Sequence, residues 1–123
     1  MSQPEVRQPT AEHPITVTPT DGHVTVRVRG QVVAETDEAL SLQESTYPVV
    51  QYIPIAAVDA DALRRSDTTT YCPYKGEANY YHLGIGDETV DDAIWTYEQP
   101  YPAVAQIAGH VAFYPDKADV AVS

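Results

Sequence analysis

The chain has 123 residues, 43% of them hydrophobic, a formal net charge of -11 and a pI near 4.4. That length suits one ordinary domain with a core of its own, and the apolar content excludes a disordered chain. The acidic balance repels phosphate backbones and anionic headgroups, so nucleic-acid and membrane partners are not expected, and its plainest use is solubility.

Cys72 is the single cysteine, which leaves no internal disulfide to form. No apolar run approaches the roughly 20 residues of a membrane span. The first residues lack the basic start and apolar stretch of a signal peptide, so the expected compartment is the cytoplasm. Ten prolines and six glycines punctuate the whole length, which suits short strands and turns better than long helices.

Residues 1–12 are polar, aperiodic and carry two prolines, and read as a flexible tail before one β domain over 13–123. Ile15 and Val17 alternate with threonines, and Val24, Val26 and Val28 alternate with Thr25, Arg27 and Arg29. Both stretches predict half-buried strands of period two. Pro19-Thr20-Asp21-Gly22 between them predicts a tight hairpin turn, because Asp-Gly tolerates positive φ. Gly30 predicts a second turn and 31–35 a third strand. Leu40 and Leu42 share one face of a strand that ends at Glu44, and 49–53 predicts another, carrying Tyr52.

Pro54 suits the first position of a short helical turn through Val58, and the polar residues 59–65 extend it. Three threonines predict a strand over 68–72, then a bend over 73–76 and a returning strand over 77–83. Gly84 to Glu88 predicts a turn. Strands are then predicted over 93–98, 110–114 and 118–122, with a helical turn over 102–108. The sum is a mainly β chain of about nine short strands in two packed antiparallel sheets, with one or two short helical turns.

The stretch Asp67–Tyr81 concentrates the chemistry. It holds Cys72, Lys75 as one of only two lysines, and four of the nine tyrosines. A thiolate at Cys72 is a strong nucleophile, and a nearby ammonium would favour it, but a free cysteine is also a good small core residue. Lys75, in a bend ending at Gly76, suits a carboxylate or phosphate, or is a turn lysine held by Glu44 or Glu77. Glu44 suits a general base or an ion-pair partner, and Arg27 an anion contact or a partner for Glu44.

Tyr47, Tyr52, Tyr74, Tyr80, Trp95 and Tyr97 offer flat rings with polar tips, suited to stacking a planar ligand, whereas Phe113 and Tyr114 read as core. Of Tyr80 and Tyr81, only one can face inward on a strand. His13, His23, His82 and His110 lie at no metal-ligand spacing, so no metal site is expected and no cofactor is indicated. Gly84-Ile85-Gly86 lacks the third glycine and the helix of a dinucleotide fingerprint.

Several strings carry a resemblance. They are Tyr47-Pro48-Val49, Tyr52-Ile53-Pro54, Thr70-Tyr71-Cys72-Pro73-Tyr74-Lys75-Gly76, Tyr80-Tyr81, Trp95 with Tyr97, and Ala112-Phe113-Tyr114. With them the chain resembles the bacterial domain-of-unknown-function family 427, labelled nucleotidyltransferase-like, over about residues 13–114. That resemblance implies similarity to β-tent proteins, whose two antiparallel sheets meet steeply over a cleft. Many β-tent proteins hold a structural zinc with two cysteine pairs, which one cysteine cannot supply. Members often carry Asn-Ala-Ala-Trp where this chain has Asp92-Ala93-Ile94-Trp95, which puts any role of that amide in doubt.

Three functional readings follow. The first is a small-molecule binding domain taking a flat or anionic ligand near Lys75. The second is an enzyme using Cys72, Lys75 or Glu44 on a nucleotide-like or acyl substrate. The third is a structural protein that pairs with itself as a homodimer.

Overall fold

The computed structural model describes residues 5–123, so the start of the predicted tail, residues 1–4, lies outside the described residues. The chain is mainly β, with two antiparallel sheets. The strands are β1 (Ile15–Pro19), β2 (Val24–Val28), β3 (Gln31–Thr36), β4 (Leu40–Glu44), β5 (Val50–Pro54), β6 (Leu63–Cys72), β7 (Gly76–Ile85), β8 (Glu88–Thr96), β9 (His110–Phe113) and β10 (Asp119–Val122). Short 3-10 turns occupy Ile55–Ala57, Ala60–Ala62 and Pro102–Ile107. Pro54 precedes the first of them and Pro102 opens the third, where a fixed φ and a missing N–H cost nothing.

The larger sheet runs β1-β4-β5-β9-β8-β7-β6 and the smaller one β10-β2-β3. Period-two alternation gives the larger sheet two apolar faces. Ile53, Leu83, Ile94, Val111 and Phe113 share one core with Val24, Val26, Val28 and Val33 of the smaller sheet. Leu42, Tyr52, Ala78, Tyr80, Tyr97 and Ala112 point the other way and pack with Val104 and Ile107 of the third 3-10 turn. The alternation decides the Tyr80–Tyr81 question: Tyr80 joins the second core and Tyr81 packs at the margin of the first.

The predicted hairpin at residues 19–22 does not form. β1 pairs with β4, and β2 pairs with β3 and β10, so the segment between β1 and β2 crosses from one sheet to the other. The physical reason is burial: Val24 and Val26 are fully enclosed, whereas Ile15 and Val17 are only partly covered, so the two strands serve different cores. Gly22, at φ 129°, instead lets the chain end approach. A Cβ there would stand 2.6 Å from the Ser123 carbonyl oxygen, beside the paired backbone bonds of His23 and Ser123.

Two strands are longer than their patterns predict. β6 begins at Leu63 and β8 at Glu88, because polar residues can lie on an exposed ladder without showing alternation. Both carry irregularities. Register shifts fall between Arg65 and Thr69 in β6 and opposite β8 between Tyr81 and Leu83 in β7, and Asp92 sits at φ 47°.

The middle of the larger sheet is thinly joined. β5 and β9 pair only at Ile53↔Val111 and Pro54↔His110, after which Tyr52 and Ala112 are no longer partners. β4 pairs with β5 through Tyr52, Gln51 and Val50, and β8 pairs with β9 through Val111, Ala112 and Phe113. Two strand groups therefore part company just beyond the joint, on the face that carries the tyrosines.

Candidate functional site

A hollow of about 180 Å³ opens where the two strand groups part. Its wall is Leu42, Glu44, Tyr47, Pro48, Val50, Tyr52, Lys75, Tyr80, Trp95, Tyr97 and Tyr114. β4 and β5 supply one side, with Tyr47 and Pro48 from the turn between them. β7, β8 and the residue after β9 supply the other.

Lys75 enters from the tight hairpin joining β6 to β7. Cys72 pairs with Gly76 across it, the Lys75 N–H donates to the Cys72 carbonyl at 3.2 Å, and the Tyr101 N–H donates to the Lys75 carbonyl at 2.9 Å. Gly76 holds φ 112°, a conformation that L side chains rarely adopt, which explains glycine directly after the lysine. With its backbone fixed on both sides, Lys75 turns inward, and its side chain is only 10% exposed.

The buried ammonium is paired. Lys75 Nζ bonds to Glu44 Oε1, and His13 Nε2 lies 2.8 Å from Glu44 Oε2. Glu44 is itself 17% exposed. Burial pushes its carboxyl up, but the hydrogen bonds from Lys75 and His13 outweigh burial and hold it below the usual carboxylate range. Of the two carboxylates weighed for Lys75, Glu44 is the partner. Lys75 Nζ also lies 3.8 Å from Cys72 Sγ.

The rings form a second set. Trp95 Nε1 donates to the Tyr52 hydroxyl at 3.1 Å, edge-on to that ring. Trp95 also packs against Tyr114 at 4.6 Å between centroids. Tyr80 lies parallel to Tyr114, and its hydroxyl is 2.9 Å from Thr70 Oγ1 and 3.3 Å from the Tyr114 hydroxyl. Burial drives the Tyr52, Tyr97 and Tyr114 phenols well above their ordinary value, so these hydroxyls stay protonated.

Tyr97 differs from its neighbours. It is 8% exposed, and its hydroxyl has no hydrogen-bond partner among the described residues. No fully enclosed side-chain polar atom among the described residues lacks a partner, so this hydroxyl is reached from the hollow.

Most residues expected at a site converge here: Glu44, Tyr47, Tyr52, Lys75, Tyr80, Trp95 and Tyr97 all line the hollow. Three do not. Cys72 packs at the edge of the second core and is not among the residues that line the hollow. Tyr74 stacks on His13, 4.4 Å between centroids, outside the hollow. Arg27 lies on the exposed face of β2 in the other sheet, beside a shallow surface depression with Lys117 and Asp119, so it cannot reach Glu44.

Two participants were not expected. Tyr114 follows the strand whose Phe113 is core, and its ring lines the hollow while packing against the second core. His13 stands 31 residues from Glu44 in sequence, and no local spacing links them. Residues just before it follow the hairpin, with the Arg7 N–H donating to the Pro73 carbonyl at 2.9 Å and the Tyr71 hydroxyl bonded to the Glu5 carbonyl.

Asp92 has a separate role. Its carboxylate accepts from Ser66 Oγ at 2.5 Å and Thr68 Oγ1 at 2.7 Å, and its N–H donates to His82 Nδ1 at 3.0 Å. Those hydroxyl donors hold its carboxyl below the ordinary range. The group clamps the irregular parts of β6, β7 and β8, and the backbone contact at Nδ1 orients the His82 ring. Among the described residues, no group of three or more His, Cys, Asp or Glu side chains is placed to hold a metal. No helix among them is long and apolar enough to cross a membrane.

Fold and site together define a class: a two-sheet β domain with an aromatic hollow closed at one end by a buried ion pair. A model of the family described as Domain of unknown function (DUF427) matches residues 16–123, and the chain belongs to that family. No curated protein matches the chain in sequence.

Proposed function

We propose that this domain binds a small molecule about the size of one six-membered ring, carrying a hydrogen-bonding edge, in the hollow between its two strand groups. The observation that carries this is Tyr97. Its ring is largely covered, while its hydroxyl has no protein partner among the described residues and is open to solvent, which leaves it free to bond a guest. It stands beside Glu44 and Lys75 in a hollow walled by flat rings. Size narrows the ligand further. An apolar cavity of about 150 Å³ admits benzene, and drug-sized ligands fill about 300–1,000 Å³. At about 180 Å³, this hollow suits one ring.

Charge narrows it again. Lys75 is already neutralised by Glu44, so the wall offers hydrogen bonds and faces more than a free cation. A neutral or weakly polar ring fits better than a strongly anionic one. The narrow joint between β5 and β9 supports a tent-like arrangement, with the hollow beneath the joint.

The test uses the single tryptophan, which lines the hollow. Phenol, benzamide, benzoate, AMP and ATP are titrated while Trp95 emission and the melting temperature are followed. The expected result is saturable quenching and stabilisation by the neutral single rings, lost in Tyr97→Phe. A response confined to the nucleotides, or one unchanged in Tyr97→Phe, would refute the proposal.

A second reading is catalysis through Cys72, favoured by one observation, the Lys75 ammonium 3.8 Å from its sulfur. The absence of that sulfur from the wall of the hollow ranks this reading second. Rapid labelling of Cys72 by iodoacetamide in the folded protein would reverse the order.

A further inference from the structure

A larger apolar groove adjoins the hollow. It has a volume of about 470 Å³, and the two spaces share Tyr47, Pro48, Val50 and Trp95. The shared residues lie beyond the joint, where β5 and β9 are no longer paired, so the passage runs through the opening between the strand groups. From there the groove continues between Val49, ahead of β5, and Val122 on β10. These residues are 47% and 48% exposed, large apolar groups left open to water along the groove. Among the described residues no charged one lines the groove, although 25 of the chain's residues are Lys, Arg, Asp or Glu.

We infer that the ligand of this domain is an amphiphile: its ring-sized polar head occupies the hollow beside Tyr97 and Lys75, and an unbranched hydrocarbon chain leaves between β5 and β9 to lie along the groove. This inference rests on the proposed binding function and adds the chemical class. A head alone would leave the uncharged groove wet and its valines exposed, whereas a chain attached to the head covers both without a second binding event. Val50 and Trp95 line both spaces, so one molecule can span them.

The experiment is a titration of the full chain with phenol, 4-ethylphenol, 4-butylphenol and 4-heptylphenol, each below its solubility limit, read by Trp95 emission. Each added methylene is expected to tighten Kd about three- to four-fold until the groove is filled. Val49→Asp and Val122→Asp each place a carboxylate along the groove. Each is expected to flatten that dependence while the Kd for phenol stays within about two-fold of the parent. Tyr97→Phe is expected to weaken every member by one common factor.

Equal Kd values for phenol and 4-heptylphenol in the parent would overturn the amphiphile and leave the single-ring reading intact. So would a chain-length dependence that survives both aspartates, since the chain would then be bound elsewhere. A dimer at micromolar concentration that both aspartates dissociate would also overturn it, because a second copy would be covering the groove. Failure of every phenol to bind would instead remove the single-ring reading, and the amphiphile with it.

Discussion

Separating Glu44 from Lys75 should cost far more than removing both. In Glu44→Gln the ammonium stays in place, only 10% exposed, facing a neutral amide and a half-buried thiol. Breaking one side of a buried pair costs about 3–5 kcal/mol, and the residual exposure of Glu44 puts this site near the lower end, about 3 kcal/mol. Unfolding entropy near 2.1 cal/mol/K per residue over 123 residues gives about 0.26 kcal/mol/K, so the expected fall in Tm is about 12 °C. Lys75→Met should cost less, about 2 kcal/mol, because Glu44 keeps His13 as a hydrogen-bond partner 2.8 Å away and is itself partly exposed. The double variant Glu44→Gln/Lys75→Met removes both charges from the wall of the hollow, and its Tm should lie within a few degrees of the parent. Urea and thermal denaturation of all four proteins close the cycle. Additive single costs, with the double variant losing about 5 kcal/mol, would refute the claim that the pair is coupled and buried.

Acid provides a related check. Glu44 and Asp92 are both held below the ordinary carboxyl range in the folded chain. Their contribution is therefore fully present above the unfolded values and is lost as pH falls through the folded ones. Melting temperatures taken from about pH 7 down to about pH 3 should fall below roughly pH 4.5, and less steeply in Glu44→Gln; an identical acid limb in that variant would count against the assignment. Gly76→Ala should lose about 1–3 kcal/mol by urea denaturation. At φ 112° the cost is backbone strain, since the new Cβ would meet its nearest neighbour, the Gln99 carbonyl oxygen, at an ordinary 3.5 Å. An unchanged midpoint would mean that the hairpin relaxes without loss. At Asp92, Asn should cost under about 1 kcal/mol because it tolerates φ 47° and keeps one acceptor. Val should cost about 3 kcal/mol through its branched Cβ and the orphaned Ser66 hydroxyl. Equal costs for the two would dismiss the clamp.

Much of the fold is legible in the chain because it is local. Alternating valines mark β2, Gly30 marks the turn into β3, and Pro54 and Pro102 mark their 3-10 turns within a residue or two. The partition into sheets is not local. Nothing between Pro19 and Gly22 reveals that β1 will leave β2 for β4, since that choice rests on which strands can bury valines together. The first half of β8, Glu-Thr-Val-Asp-Asp, hides a strand because its ladder is held by a side-chain clamp more than by apolar alternation.

The site follows the same rule. The Cys-Pro-Tyr-Lys-Gly string locates Lys75, and period two locates Tyr52, Tyr80 and Trp95 on one face. A stretch of chain concentrated in reactive residues does not have to deliver all of them to one place. Cys72 and Tyr74 flank the lysine in sequence yet turn aside, because successive residues of a tight hairpin point in different directions. His13 and Tyr114 arrive from the two ends of the domain, and only the closed fold brings them near.

The two-pair joint between β5 and β9 has a mechanical consequence. One of its four residues is Pro54, which has no N–H to give, and the next main-chain link is the Ile55 N–H, which donates to the Gly109 carbonyl at 3.0 Å. The joint is the shortest pairing in the larger sheet, and the Trp95–Tyr52 hydrogen bond and the Lys75–Glu44 pair span the opening beside it. A guest wedged there would stiffen it, and amide protons along Gln51–Ile53 and Val111–Phe113 would exchange more slowly with solvent deuterium.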